Sequence, residues 1–158
     1  QLGTIQADFQ MPERFDLEYE GEDGKRHPPV IIHRAILGSI ERFLGILIEH
    51  YAGKFPLWLS PEQVRILTVS EKYSSYGRQI VEKYRSSGIR THLDERNESV
   101  SYKVRDAQLM KVPYILVVGE KEEEAGTVTI RTRDNEIKGA LKADKFLQQL
   151  HDELVKQQ

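Results

Sequence analysis

Pro113-Tyr114-Ile115-Leu116-Val117-Val118 is the stretch on which the fold turns. Six uncharged, mostly β-branched or aromatic residues, closed by Gly119, make a buried strand; a buried helix would need a longer run. A strand without polar alternation is one covered by helices on both faces. The flanking sequence supplies the helices. Upstream, residues 64–69 read as a strand, 71–87 as a helix stopped by Gly88, 89–93 as a strand and 99–110 as a helix. Val100, Val104, Ala107 and Leu109 fall on or near the buried side of that second helix. Downstream, residues 127–132 alternate like an antiparallel strand, and 143–155 form a closing amphipathic helix with Phe146, Leu147, Leu150 and Leu154 inward. The order βαβαββα predicts an α/β domain, a mixed sheet with helices on its faces; about five strands and three helices are expected in all. Its parallel crossovers should be right-handed.

The sequence before this domain has a different texture. Residues 2–9 alternate as a strand and open without a cap, which reads as a fragment boundary. Residues 11–14 read as a turn, 16–20 as a second strand and 21–25 as a polar hairpin tip. Val30, Ile31 and Ile32 predict a buried β-branched strand running into His33 and Arg34. Gly38-Ser39 turns the chain into a helix over 40–51, with Ser39 as its N-cap and Ile40, Phe43, Leu44, Leu47 and Ile48 on one apolar face. A rigid segment with Phe55, Pro56, Trp58 and Pro61 follows. The predicted organisation is therefore 1–52, a linker at 53–62, and a domain at 63–158.

Composition narrows the function classes. The chain has 158 residues, 30% charged and 39% hydrophobic, the profile of a soluble globular protein. It has no cysteine, so thiolate chemistry and disulfides are excluded within it. No apolar run approaches the roughly 20 residues that span a bilayer, so no membrane partner is expected. The net charge is -2. Residues 1–52 hold 5 Lys/Arg against 9 Asp/Glu, and residues 53–158 hold 18 against 16. So mild a positive balance suits a nucleic acid read at a few bases better than one gripped along its phosphates.

On chemistry alone, the candidate residues have plain alternatives. In His33-Arg34-Ala35-Ile36-Leu37-Gly38-Ser39-Ile40-Glu41-Arg42-Phe43, a guanidinium one turn into the helix can stack on a purine or bind phosphate. A strand–Gly–helix corner with an arginine is usually only a corner. A lone His33 at a strand end is more often structural than a ligand, since zinc needs three or four donors. Lys121-Glu122-Glu123-Glu124 reads as a solvated loop, and Arg131 and Arg133 as outward residues of a strand.

Taken together, the motifs point further. Gly38-Ser39-Ile40-Glu41-Arg42-Phe43, preceded by Ile32-His33-Arg34-Ala35-Ile36-Leu37, resembles motif 3 of class II aminoacyl-tRNA synthetases in its threonyl form. Gln1-Leu2-Gly3-Thr4-Ile5-Gln6-Ala7-Asp8-Phe9 resembles that family's active-site strand, and Tyr19-Glu20-Gly21-Glu22-Asp23 its preceding hairpin. Leu93-Asp94-Glu95-Arg96-Asn97-Glu98 and Lys111-Val112-Pro113-Tyr114 resemble signatures of its anticodon-binding domain. The likeness weakens after Arg133, where Asp134-Asn135-Glu136-Ile137-Lys138 replaces a more usual Arg-Gly-rich tip.

The resemblance implies a threonine–tRNA ligase using ATP with Mg2+, and zinc to recognise threonine. It implies Arg42 as the catalytic, ATP-holding arginine, with Gln1 and Ser39 as further ATP contacts. Gln6 and His33 would line the threonine pocket, His33 as a zinc ligand. Asn97, Glu122 and Arg131 would read the anticodon, with Arg96, Arg105 and Lys111 nearby. The implied partners are threonine tRNA, threonine, ATP and a second copy of the enzyme, in the cytoplasm or an organelle. Motifs 1 and 2 are not in this sequence, so these 158 residues alone are expected to be catalytically inactive. The alternative is a stand-alone RNA-binding or accessory module with the same fold and no catalysis.

Overall fold

The computed structural model describes residues 3–156. The chain divides into two units, one up to His50 and one from Tyr51.

The first unit is thin. Strand β1 (Thr4–Asp8) pairs antiparallel with β4 (Ile31–Ala35), placing Gln6 opposite His33 and Asp8 opposite Ile31. Between them lie the one-turn helix α1 (Gln10–Arg14), where a turn was expected, and a hairpin of β2 (Tyr19–Glu20) and β3 (Arg26–His27). The expected strand over 16–20 is only its last two residues, because Asp16 takes a left-handed turn at φ 50°. Helix α2 (Ile40–Tyr51) follows Gly38, whose φ of 65° suits glycine. The Ser39 hydroxyl accepts from the Arg42 amide at 3.3 Å, as an N-cap should.

The expectation of a buried strand at 30–32 is corrected here. Val30 is 48% exposed and Ile32 68% exposed, and no residue of α2 is buried. The reason is geometric: two paired strands have no second layer within this unit to cover them. Pro12 is the one buried residue among those described up to His50.

The second unit is a five-stranded mixed sheet in the order β6-β5-β7-β8-β9. Strands β5 (Val64–Thr68), β6 (Thr91–Asp94) and β7 (Tyr114–Val118) are parallel; β8 (Thr127–Thr132) and β9 (Ile137–Lys142) continue antiparallel. Helices α3 (Ser74–Ser86) and α6 (Ala143–Lys156) cover one face. Ile80, Val81, Tyr84, Phe146 and Leu150 from these helices pack on Val64, Ile66, Leu116, Val118, Val128 and Ile130. Helix α4 (Val100–Leu109) sits on the other face, with Val104 and Ala107 against Leu67 and Ile115. The two-residue alternation along β5 and β7 thus feeds two cores, which is why these strands are apolar throughout.

Four local expectations change. Residues 121–124, read as a loop, lie in a short helix α5 (Glu120–Ala125), closed by Gly126 at φ 63°. The segment 134–138, read as a hairpin tip, gives way at Ile137 to β9, with a bulge between Ile130 and Arg131. Leu109 is 68% exposed, because α4 ends there and Lys111 turns left-handed at φ 58°. Residues 71–73 form a separate 3-10 turn before α3.

The segment over 55–60 is strapped to this second unit. Leu57 is 2% exposed. Gln63 Nε2 donates to the Leu57 carbonyl at 2.9 Å, Arg90 donates to the carbonyls of Trp58 and Ser60, and Arg133 donates to that of Phe55 at 2.7 Å. No helix of the described residues is long and apolar enough to cross a membrane.

Candidate functional site

In the first unit, antiparallel pairing puts Gln6, Asp8 and His33 on one side of the two-stranded ribbon. His33 Nε2 lies 3.5 Å from Asp8 Oδ2. The other Asp8 oxygen accepts the Gln10 and Met11 amides at 2.9 and 3.0 Å. Donation from Met11 does most to hold this carboxyl below its ordinary range; partial desolvation opposes it, and Gln10 and His33 add to it. Ser39 and Arg42 stand at the start of α2, both exposed. The Ser39 hydroxyl donates to Glu41 at 2.7 Å, which lowers the Glu41 pKa. Gln1 lies outside the described residues.

These residues do not make a zinc site on their own. Zinc takes four ligands in structural sites and three plus a water in catalytic ones. The described residues hold no group of three or more His, Cys, Asp or Glu side chains able to ligate a metal. His33 contributes one imidazole.

Two candidates of the second unit, Asn97 and Glu122, lie beyond the C-terminal ends of parallel strands, while Arg131 lies within β8. Strands β5, β6 and β7 run parallel, so the loops after β6 and β7 emerge together. Asn97 is in the first of these loops and Glu122 follows the second. A cavity of about 140 Å³ there is lined by residues including Ser70, Arg78, Glu95, Arg96, Asn97 and Glu98.

The Asn97 loop is held by charge. Asp94, 3% exposed, accepts from the Arg96 amide at 3.1 Å and from Arg96 Nε and Nη2 at 2.9 and 2.6 Å. Burial alone would raise the Asp94 pKa, but donation from Arg96 and the charges of Arg96 and Lys103 win, and it is lowered. Arg96 also reaches Asp106 at 2.7 Å, and the two carboxylates raise the guanidinium pKa further. Arg96, expected to face RNA, thus spends its planar fork on positioning the loop. Beneath it, Lys103 is 1% exposed, and its ammonium donates to the main-chain carbonyls of Thr68 and Asp94 at 2.9 and 3.3 Å. Those carbonyls end β5 and β6, so Lys103 ties together the strand ends from which the loop departs. Sequence inspection missed it; a lysine among Val100, Val104 and Ala107 on a buried face was the available signal.

Glu122 is fixed at both oxygens. Oε2 accepts the Gly119 amide at 3.0 Å, capping α5, and Oε1 accepts the Thr129 hydroxyl at 2.7 Å. A Cβ on Gly119 would come within 3.1 Å of Val69 Cγ2 and 3.3 Å of Glu122 Oε2, so glycine makes room for this arrangement. An ionised carboxylate has about four acceptor positions, so two stay free for an incoming donor. Thr129 and Arg131 alternate onto the same face of β8, opposite Val117 and Ile115. The Arg131 side chain is half-buried, and its Nε is enclosed with no hydrogen-bond partner. Register and the Thr129 bridge therefore bring Glu122 and Arg131 to one face, while Asn97 follows β6, with two strands between β6 and β8 in the sheet. Arg105 and Lys111 are exposed; the Lys111 carbonyl accepts from Arg133 at 3.5 Å.

The family profile described as the anticodon binding domain matches residues 63–153, and that of the tRNA synthetase class II core domain (G, H, P, S and T) matches residues 1–51. The chain is 54% identical over 154 residues to the threonine–tRNA ligase of Carboxydothermus hydrogenoformans, covering 98% of this chain and 24% of that protein. It is 53% identical over 155 residues to that of Caldanaerobacter subterraneus, with the same coverage. The chain thus spans about a quarter of the length of these relatives. Among solved structures, the RNA binding domain of threonyl-tRNA synthetase from Cryptosporidium parvum Iowa II superposes with a TM-score of 0.78 at 39% identity, over 96% of this chain and 39% of that one. A prolyl-tRNA synthetase from the same organism, at 19% identity and a TM-score of 0.71, shares the fold.

Proposed function

The chain belongs to the anticodon binding domain family, and from that premise we propose that it reads the anticodon of threonine tRNA as part of a threonine–tRNA ligase. One observation carries the reading: Glu122 and Arg131, two side chains able to recognise base edges, share one face of the sheet, Glu122 held there by the Gly119 amide and the Thr129 hydroxyl and Arg131 set by strand register. Threonine anticodons carry G and U at their second and third positions. A carboxylate accepts from the N1–H and N2–H₂ edge of G, and a guanidinium donates to O6 and N7 of G or to the carbonyls of U. RNA loops present these edges once their bases are splayed. Asn97, able to donate and accept, serves as the third reader. The 54% and 53% identities to threonine–tRNA ligases over nearly the whole chain support the amino-acid assignment.

In the same proposal, residues up to about 52 supply the last part of the ligase active site. Arg42 holds ATP, delivered with Mg2+, with Gln1 and Ser39 nearby; Gln6 and His33 face threonine. The Gln6–His33 pairing supports a shared pocket. His33 and Asp8 give fewer donors than zinc requires, so no step is assigned to that ion. The intact ligase acts as a homodimer in the cytoplasm. The alternative, an accessory module without catalysis, is disfavoured by an active-site strand such a protein would not need. Titrating this chain with a threonine anticodon stem-loop, and with loops in which G or U is replaced, tests the reading. Each replacement should cost about 1–3 kcal/mol, the scale of a bidentate base contact. Equal affinity for all loops would refute anticodon reading.

A further inference from the structure

We propose that the ring of Tyr102 is a stacking platform for the first, variable base of the anticodon, an inference that rests on the anticodon reading above. Tyr102 lies in the first turn of α4, and its amide donates to the Ser99 side chain at 3.3 Å, which fixes the backbone below the ring. Its side chain is 53% exposed. A half-exposed tyrosine ring beside a binding loop offers a π face to a partner.

The other side of the ring is backed. The Arg96 guanidinium carbon lies 5.9 Å from the ring centroid. Arg96 itself is anchored by Asp94 and Asp106 at 2.6 and 2.7 Å. The ring is therefore supported by a fixed cation on one side and accessible elsewhere. Asn97 follows Arg96 directly, so the platform adjoins a residue already assigned to base reading.

The choice of base follows from chemistry. Threonine codons agree in their first two letters and differ in the third, so threonine tRNAs differ at the first anticodon position. A site serving all of them must hold that base without reading its edge. Stacking does this, because every base has a π face. The arginines beside this loop are already paired, Arg78 with Glu95 at 3.0 Å and Arg96 with Asp94 and Asp106 at 2.6 and 2.7 Å, so neither is left free for a passing phosphate, which favours a base as the occupant.

Stem-loop titrations with wild-type chain, Tyr102→Phe and Tyr102→Leu test the assignment, using the threonine anticodon loop and a copy with an abasic first anticodon position. Tyr102→Phe keeps the ring and should bind like wild type. Tyr102→Leu should bind the intact loop about 5- to 100-fold more weakly, whichever base stands first. The abasic loop should bind weakly to wild type and lose nothing more with Tyr102→Leu. Undiminished binding by Tyr102→Leu, while G and U replacements still cost affinity, would overturn the platform alone. So would an equal loss on the abasic loop, since that marks a structural role. Indifference of the wild type to G and U replacement would overturn the anticodon reading and the platform with it.

Discussion

Replacing Thr129 with valine tests whether Glu122 is a positioned reader or merely a helix cap. The two side chains meet at 2.7 Å, hydroxyl to carboxylate, in a half-buried setting. Valine has nearly the shape of threonine, so packing is kept and only the donor is lost. A hydrogen bond to a charged group contributes about 1.5–3 kcal/mol when well enclosed. Partial exposure, and the Gly119 amide that continues to hold the other oxygen at 3.0 Å, reduce the expected loss to about 1 kcal/mol. Urea unfolding should register a destabilisation of that size. Stem-loop affinity should fall by a similar amount, about fivefold, because the carboxylate regains rotamer freedom that binding must then remove. Glu122→Ala should cost more affinity, and the double variant little beyond Glu122→Ala, since the threonine acts through the glutamate. Full affinity for Thr129→Val beside a large loss for Glu122→Ala would refute the claim that Thr129 positions the reader. No loss for either would remove Glu122 from the interface.

Three further outcomes follow from the interior. Lys103→Ala should destabilise the second unit by about 3–5 kcal/mol in urea unfolding, since it removes a buried charged partner and leaves a cavity; a loss below 1 kcal/mol would mean that the Thr68 and Asp94 carbonyls find other donors. Asp94 is held with a lowered pKa, so its contribution is present above the ordinary value of 3.8 and is lost as pH falls through the folded value below it. Asp94→Asn should flatten that acid limb of the stability–pH curve, and an unchanged limb would assign it to other carboxylates. Gly77→Ala, near the start of α3, would gain up to about 1 kcal/mol of helix propensity in isolation. Its Cβ would lie 3.0 Å from Leu93 Cδ1 and 3.2 Å from Thr68 Cγ2, so thermal unfolding should show net destabilisation, and a raised midpoint would mean that β6 yields easily.

What could be seen in the sequence depended on how each segment earns its structure. Strands β5 and β7 and helix α6 bury residues at their own period, and the apolar pattern of Val64, Ile66, Leu116, Phe146 and Leu150 reports it directly. Strand β9 hides because Gly139 and Ala140 have poor strand propensity and Ile137, Lys138, Ala140 and Lys142 are exposed, so pairing with β8 alone defines it. Helix α5 hides because a run of glutamates looks like solvent-facing loop until the Gly119 amide is seen to need a cap. At the site, Glu122 and Arg131 could be named by resemblance, but their common face depends on β7–β8 register and on Thr129, which no motif spells out. In the first unit the amphipathic pattern of α2 was legible while its burial was not, because burial depends on a second layer that two strands cannot provide.

The bulged pairing of β8 with β9 also bears on colloidal behaviour. A sheet ends in a row of unpaired amides and carbonyls, an invitation to another strand and ultimately to fibres. Here that border is the strand carrying Lys138 and Lys142, with Gly139 at φ 87° and a register slip beside Arg131. Like charges and a broken hydrogen-bond rhythm make it a poor template for a second copy. The opposite border, β6, is only four residues long. At the concentrations that nucleic-acid titrations demand, strand-by-strand stacking of this sheet should therefore be slow to begin.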